Sequence, residues 1–193
     1  MLLSIVSSTM AQETNDEQTT SRWQFRPIVA ANLSRPIDAP DDVSVVKRLG
    51  YEAGVELSYD MSPWLSASFG TLFAYDRYRE DLTGDFVPAT NMGLSRKPEL
   101  RSMYIVKVPL LINFHITKEL TFKTGAEPWF ITNAVMYPGN AVPVDRFQVT
   151  VPAAVSYSFG YMEVGAKYTI GTEKIAGCKP NSLALYVTVP IRL

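Results

Sequence analysis

The chain has 193 residues and a formal net charge of −1 at pH 7. This length allows one domain, and so small a net charge gives no reason to expect nucleic acid as a partner. Hydrophobic residues make up 47% of the chain, yet no run approaches eighteen consecutive apolar residues, which excludes a transmembrane helix. A transmembrane β-barrel stays possible, because only alternate residues of its strands meet lipid.

The N-terminus is predicted to be a targeting segment followed by a linker. Residues 1–11 form a short apolar run that leads into small residues and Ala11, which predicts the remnant of a signal peptide, although the basic residues that usually begin one are missing. A disordered tail is the alternative. Residues 12–21 are polar and predict a disordered linker, so the barrel domain is expected to span 22–193. The single cysteine, Cys178, cannot form an internal disulfide and is read as an inert thiol in a turn.

From residue 22 onward, apolar and polar side chains alternate, as they do in a strand whose two faces meet different surroundings. The pattern is clearest in 51–60, where Tyr51, Val55 and Leu57 alternate with Glu52 and Glu56. Segments of this length suit tilted strands that cross a bilayer. In chain order the eight segments are 22–33, 51–60, 65–76, 104–115, 120–131, 147–158, 162–171 and 183–193.

Three observations favour a membrane barrel over a soluble, lipocalin-like barrel that would hold a ligand against its apolar face. The polar face carries equal numbers of bases and acids, as expected for an enclosed lumen in which every charge needs a partner. Aromatic residues lie on the apolar face, many near segment ends, where they would form interfacial girdles. Long connections (34–48, 77–100, 138–146 and 172–182) alternate with short ones. The charged residues of the polar face are Arg22, Arg26, Lys107, Lys123, Lys167, Arg192, Glu52, Glu56, Asp60, Asp76, Glu127 and Glu163.

The predicted fold is therefore all-β, an eight-stranded antiparallel up-and-down transmembrane β-barrel of the bacterial outer membrane. An exported chain would place both termini and the short turns in the periplasm and the long loops outside the cell. Five prolines lie inside the segments, and bulges or strand ends are expected at each of them because proline donates no ladder hydrogen bond. These prolines are Pro27, Pro109, Pro128, Pro152 and Pro190.

Several stretches resemble the PorT-like family of Bacteroidetes outer-membrane barrels. Residues 104–113 (YIVKVPLLIN) are similar to a strand of that family, with Lys107 and Asn113 as departures. Residues 125–129 (GAEPW) resemble the strand that follows, and residues 162–171 (MEVGAKYTIG) resemble the penultimate strand. The resemblance implies the fold and an outer-membrane location, and it leaves the function largely open.

No catalytic, cofactor-binding or metal-binding motif is found, so no enzymatic activity, cofactor or metal is expected. The lone His115 is read as a structural lumen residue near the periplasmic end. The charged lumen is predicted to be a plug rather than a narrow pore, because eight strands leave an interior that side chains can fill. Its structural network is expected to comprise Arg22, Arg26, Glu52, Glu56, Asp76, Lys107, Lys123, Glu127, Glu163 and Lys167.

The function favoured by the sequence is a monomeric, non-enzymatic barrel with a structural, adhesive or envelope-interaction role. Outer-membrane lipid surrounds the barrel in this interpretation, and loop 77–100 is the candidate site for a protein partner. Two alternatives stay open. One is a lipid-modifying enzyme of the outer leaflet, for which Asp81, Ser95 and Glu99 are polar loop candidates, and the other is the lipocalin-like binder.

Overall fold

A computed structural model describes residues 21–34, 43–82, 99–137, 140–141, 147–173 and 179–193. Within these ranges no helix is long and apolar enough to cross a membrane. The strands are β1 Trp23–Ser34, β2 Val43–Ser62, β3 Leu65–Leu82, β4 Glu99–Lys107, β5 Leu110–His115, β6 Leu120–Tyr137, β7 Asn140–Ala141, β8 Phe147–Ser158, β9 Glu163–Gly171, β10 Asn181–Thr188 and β11 Ile191–Arg192.

The strands form one closed antiparallel barrel in which neighbours along the chain are neighbours in the sheet. β4 and β5 occupy one position of the barrel wall, and β10 and β11 occupy another. β10 pairs with β1 through Ile28↔Thr188 to Ser34↔Ser182, which closes the wall. β7 pairs with the end of β6 and lies outside this circuit. The eight-stranded up-and-down barrel predicted from the sequence is confirmed.

The prolines behave in two ways, and the expectation of bulges or strand ends at all of them is only partly correct. Pro109 and Pro190 fall in short gaps that split a wall strand, and the pairing register is the same on both sides of each gap. For Pro27, Pro128 and Pro152 the expectation was wrong, because the strands continue through them. A proline carbonyl can still accept a hydrogen bond between strands: the Val108 N–H donates to the Pro128 oxygen at 2.9 Å.

Side chains of the predicted polar face point into the lumen and those of the apolar face point outward. Glu52 and Glu56 are each 2% exposed, whereas Val29 and Phe73 are 60% and 66% exposed on the outer surface. An apolar exterior around a charged interior is the reverse of a soluble barrel that holds an apolar ligand. The lipocalin-like alternative is therefore wrong.

The two ends of the barrel differ. At the turn end, short connections at 63–64, 116–119 and 159–162 link the strands, and Gly160 has a φ of 90°, a conformation that favours glycine. At the loop end, the strands extend further than the alternation predicted, because Val43↔Leu82 to Lys47↔Tyr78 continue the β2–β3 ladder. The predicted loops 34–48, 77–100 and 138–146 therefore include strand residues. Backbone pairing needs no apolar face, so it continues where the alternation stops.

Outward-facing aromatic rings form a row near each end of the barrel. Trp23 and Tyr59 have ring centroids 4.9 Å apart at the turn end, and Tyr51 and Tyr75 have centroids 5.2 Å apart near the loop end. Tyr51 and Tyr59 lie on the same strand, separated by about 26 Å at roughly 3.3 Å per residue. For a strand tilted by about 40°, this is about 20 Å along the membrane normal, comparable with the apolar band of a membrane barrel, which is about 25 Å tall.

Candidate functional site

Four charged residues fill the half of the lumen toward the loop end and are here called the loop-side cluster: Glu52, Lys107, Glu127 and Lys167. The Lys107 ammonium lies 2.5 Å from Glu52 Oε1 and is fully buried. The Lys167 ammonium bridges the two acids, at 2.9 Å from Glu52 Oε2 and 3.1 Å from Glu127 Oε2. Because strands from different sides of the barrel contribute these residues, their pairing ties opposite walls together.

Neighbouring side chains make further hydrogen bonds and a cation–π contact with the loop-side cluster. Trp129 donates its indole N–H to Glu127 Oε1 at 2.9 Å, and its ring lies 4.3 Å from the Lys107 ammonium, within cation–π range. The Asn32 amide donates to Glu52 Oε1 at 3.1 Å and to Asp76 Oδ1 at 2.7 Å. Asp76 therefore joins this cluster through a hydrogen bond to an amide.

A second set of charges, the turn-side cluster, lies toward the other end and consists of Arg26, Glu56, Lys123 and Glu163. The Arg26 guanidinium pairs with Glu163 and lies 3.7 Å from Glu56 Oε1. The Lys123 ammonium lies 2.8 Å from Glu163 Oε1 and 3.9 Å from Glu56 Oε1. Two bases and two acids balance within this cluster, as the cost of burying an unpaired charge requires.

An apolar layer separates the two clusters and consists of Ile28, Leu72, Ala154 and Tyr186, which are buried together. Tyr186 fits because the residue opposite it on β9 is Gly165. A Cβ at position 165 would lie 2.4 Å from the Tyr186 ring, closer than van der Waals contact permits. The lumen thus has two charged tiers with a mainly apolar tier between them, in which the Tyr186 hydroxyl is a polar atom.

Below the turn-side cluster the lumen opens into a vestibule of about 970 Å³ at the turn end. Arg26 and Glu163 form part of its inner surface, and Arg22, Lys118 and Arg192 lie on its exposed rim. Solution therefore enters the lumen from the turn end as far as the turn-side cluster.

His115 lies at the turn end, as predicted, and lines the vestibule. Its Nε2 is 3.0 Å from Ser66 Oγ, and its Nδ1 is 3.0 Å from Thr121 Oγ1. The Asn113 amide donates to Ser66 Oγ at 3.0 Å, and Ser66 has no exposed surface. The distance between Ser66 and His115 is one that a nucleophile and its general base would have. A substrate could not, however, reach the Ser66 hydroxyl in this arrangement.

Nine of the ten predicted network residues are buried in the lumen, and eight of them form the two clusters. Asp76 is the ninth and is hydrogen-bonded to Asn32. Arg22 is the exception: the prediction that it pairs with the lumen glutamates is wrong, because it lies at the exposed rim, four residues before Arg26, the first buried position on its face. Sequence reasoning did not single out Asn32, Trp129 or Tyr186, although their places on the polar face were visible.

The other candidate regions lie mostly or wholly outside the described residues. This applies to the predicted signal remnant 1–11, to nearly all of the linker 12–21 and to Cys178. Within loop 77–100, residues 83–98 lie outside, Ser95 among them, and Asp81 and Glu99 are described as strand backbone.

Comparison with known proteins supports the fold. No protein-family model matches the chain, and no curated protein matches it in sequence. The chain is similar to the crystal structure of Neisserial surface protein A, at 13% identity and a TM-score of 0.53, over 88% of this chain and 97% of that chain. It is also similar to Ail, the attachment invasion locus protein of Yersinia pestis, at 9% identity and a TM-score of 0.46, over 88% and 97%.

At these identities the first likeness shows the fold and no more. The chain has the fold of an eight-stranded outer-membrane β-barrel. Membership of the PorT-like family stays a prediction based on the strand motifs at 104–113, 125–129 and 162–171.

Proposed function

We propose that the chain is a monomeric, non-enzymatic protein of the bacterial outer membrane, whose lumen is sealed and whose loop end carries a structural, adhesive or envelope-interaction role. The strand motifs that resemble the PorT-like family are consistent with this location. The observation that carries the proposal is the closure of the lumen by two ion-paired clusters with an apolar layer between them.

The membrane location is supported by the outer surface of the barrel. Large apolar side chains such as Val29, Phe73 and Leu185 are at least 60% exposed and lie between the two aromatic rows. Soluble proteins rarely expose a continuous apolar belt of this size, because its contact with water is unfavourable. In hydrocarbon the same belt has no such cost, and the closed wall leaves no unpaired edge.

A sealed lumen is the feature that separates this proposal from a channel. In planar bilayers we expect the native protein to show no steady single-channel conductance. The combined substitution Glu52→Ala, Lys123→Ala and Tyr186→Ala removes part of each charged cluster and of the apolar layer between them, and should produce measurable conductance. Steady conductance of the native protein would contradict the seal, and the triple variant controls for successful insertion.

The proposed orientation puts the turn end in the periplasm and the loop end outside the cell. In a Cys178→Ser background, Asn91→Cys should react with a membrane-impermeant maleimide on intact cells. Lys118→Cys, in the turn between β5 and β6, should react after the outer membrane is permeabilised. The reverse pattern would place the termini outside, and loss of both variants from the outer-membrane fraction would contradict the location.

The partner in this proposal binds at loop 77–100, between β3 and β4. The support for this site is its position in the barrel. Among the described strands, β3 and β4 are joined by the longest connection, and the β2–β3 ladder extends beyond the end of β1 at Ser34. Replacing residues 83–98 with a short glycine–serine linker should leave the heat-dependent gel shift of the barrel unchanged. Attachment of cells to a protein-coated surface should fall with this variant if the role is adhesive.

A lipid hydrolase is the second candidate, favoured by the 3.0 Å distance between His115 Nε2 and Ser66 Oγ. The burial of Ser66 and the hydrogen bond that its oxygen accepts from Asn113 oppose it. Incubation of the purified protein with phospholipid or lipopolysaccharide is expected to give no turnover. Turnover that disappears in Ser66→Ala would establish the enzyme instead.

A further inference from the structure

The vestibule at the turn end has no part in the function proposed above. Its volume of about 970 Å³ lies at the upper end of the range for small-molecule sites. The turn-side cluster closes its inner end, so a molecule that enters from the turn end cannot pass through. A cup that is closed at its inner end and has a polar lining has the shape of a binding site.

Basic side chains stand on opposite sides of the mouth of the vestibule. Arg192 lies on β11, opposite Gln24 of β1, and Arg22 lies two residues before Gln24 on the same face. Lys118 lies in the turn between β5 and β6, half-way around the eight positions of the wall from β1 and β11. All three side chains are exposed, and within the described part of the chain none of them forms an ion pair.

The acids that line the vestibule are already engaged. Asp60 Oδ2 accepts a hydrogen bond from Gln24 Nε2 at 2.9 Å. Glu163 is held by Arg26 and by Lys123 in the turn-side cluster. Asp60 keeps its negative charge, because the Gln24 amide is neutral, so the four bases of the lining exceed its two acids and leave a formal excess of two positive charges.

The inner wall offers further polar groups to a ligand. His115 and Thr121 line it, with their side chains hydrogen-bonded to each other. The Ser62 hydroxyl, also in the lining, is buried and finds no hydrogen-bond partner among the residues described. A ligand that accepts hydrogen bonds would face His115 and Thr121 together with the rim cations, whereas the enclosed Ser62 hydroxyl lies out of its reach.

We propose that the vestibule binds a small soluble ligand that carries two or more oxyanion groups, phosphate or carboxylate. One group is held by the guanidinium groups of Arg22 and Arg192, whose planar forks match such oxygens. A second group is held across the mouth by Lys118. The separation of the cations on opposite walls is the reason that the ligand is multivalent.

The test uses the full barrel in zwitterionic detergent, with pyrophosphate as the probe and isothermal titration calorimetry as the measurement. We expect saturable binding of one pyrophosphate per chain, and competition by citrate. The double substitution Arg22→Gln and Arg192→Gln should weaken binding about tenfold or more, because charge-assisted hydrogen bonds are lost. Lys118→Gln should weaken it about threefold.

The matched control is Arg48→Gln, which removes an exposed arginine on β2 at the loop end. It should leave binding unchanged, and all variants should keep the native heat-dependent gel shift. The proposal is overturned if pyrophosphate does not saturate, if the Arg22 and Arg192 variant binds as the native protein does, or if Arg48→Gln weakens binding equally. Loss of pyrophosphate binding in phosphatidylglycerol nanodiscs, with retention in phosphatidylcholine nanodiscs, would assign the site to a lipid headgroup and overturn the soluble ligand.

Discussion

The loop-side and turn-side clusters each contain two acids and two bases, but their surroundings differ. In the loop-side cluster Lys107 and Glu127 have no exposed surface, and Trp129 contacts both. In the turn-side cluster Arg26 and Glu163 form the inner surface of an open vestibule. The Glu52–Lys107 pair is enclosed, whereas the Arg26–Glu163 pair borders the vestibule; Lys167, which is 8% exposed, is the most exposed member of the loop-side cluster.

This difference shows that the energetic role of a buried ion pair depends on what can replace a lost partner. When one partner of an enclosed pair is removed, the remaining charge has neither a counterion nor water, and the cost is several kcal/mol. Beside the vestibule, water can solvate the remaining charge in part, so the cost is smaller. Matched substitutions in the two clusters measure this contrast directly.

The largest effect is expected for Lys107→Met in the loop-side cluster. Glu52 keeps Lys167, but Asp76 then has no base beside it, and we expect a loss of about 3–5 kcal/mol in the free energy of unfolding. The measurement is urea-induced unfolding in phospholipid vesicles, followed by tryptophan fluorescence. A loss below about 1 kcal/mol would mean that water reaches this cluster.

Lys123→Met makes the matched change in the turn-side cluster. Arg26 still pairs with Glu56 and Glu163, and water from the vestibule can reach Glu163, so we expect a loss of about 1–3 kcal/mol in the same assay. The difference between the stability losses of Lys107→Met and Lys123→Met measures how differently the two clusters are solvated. If Lys123→Met costs as much as Lys107→Met, the vestibule does not solvate the turn-side cluster.

The smallest of the three effects concerns the apolar layer itself. Gly165→Ala places a methyl group against the Tyr186 ring. The ring must then shift, and we expect the free energy of unfolding to fall by about 1–2 kcal/mol. The ring forms part of the layer between the clusters. Its displacement should therefore also bring the losses in the free energy of unfolding of Lys107→Met and Lys123→Met closer together. Unchanged stability in Gly165→Ala would show that Tyr186 can move without disturbing the layer.

Much of the site was predictable because strand periodicity sorts residues between lipid and lumen. Three segments repeat one arrangement on the inward face, with a charged residue on each side of a central glycine: 52–56, 123–127 and 163–167. In the structure, the first and last positions of these segments fall into different clusters, and two of the glycines, Gly54 and Gly165, lie against Leu72 and Tyr186 of the apolar layer. That spacing is a signal for two tiers of charge, whereas alternation alone predicts a single network.

Other features were not predictable from alternation. The pattern placed Arg22 and Arg26 on one face, but it could not show that Arg22 lies beyond the enclosed part of the lumen. It also could not show that the β2–β3 ladder continues to Val43↔Leu82, because backbone hydrogen bonds form there without an apolar face. The identity of each ion-pair partner depends on which strands lie opposite across the lumen.

The sequence by itself determined that this chain is a barrel with a charged interior, since each side chain's face follows from its position along an extended strand. It also placed the aromatic residues at both ends of the apolar face. Only the tertiary structure divided the lumen charges into an enclosed cluster and a solvent-facing cluster and opened the vestibule below them. Those features depend on closure of the wall, because closure brings residues from distant parts of the chain, such as Arg26 and Glu163, into contact.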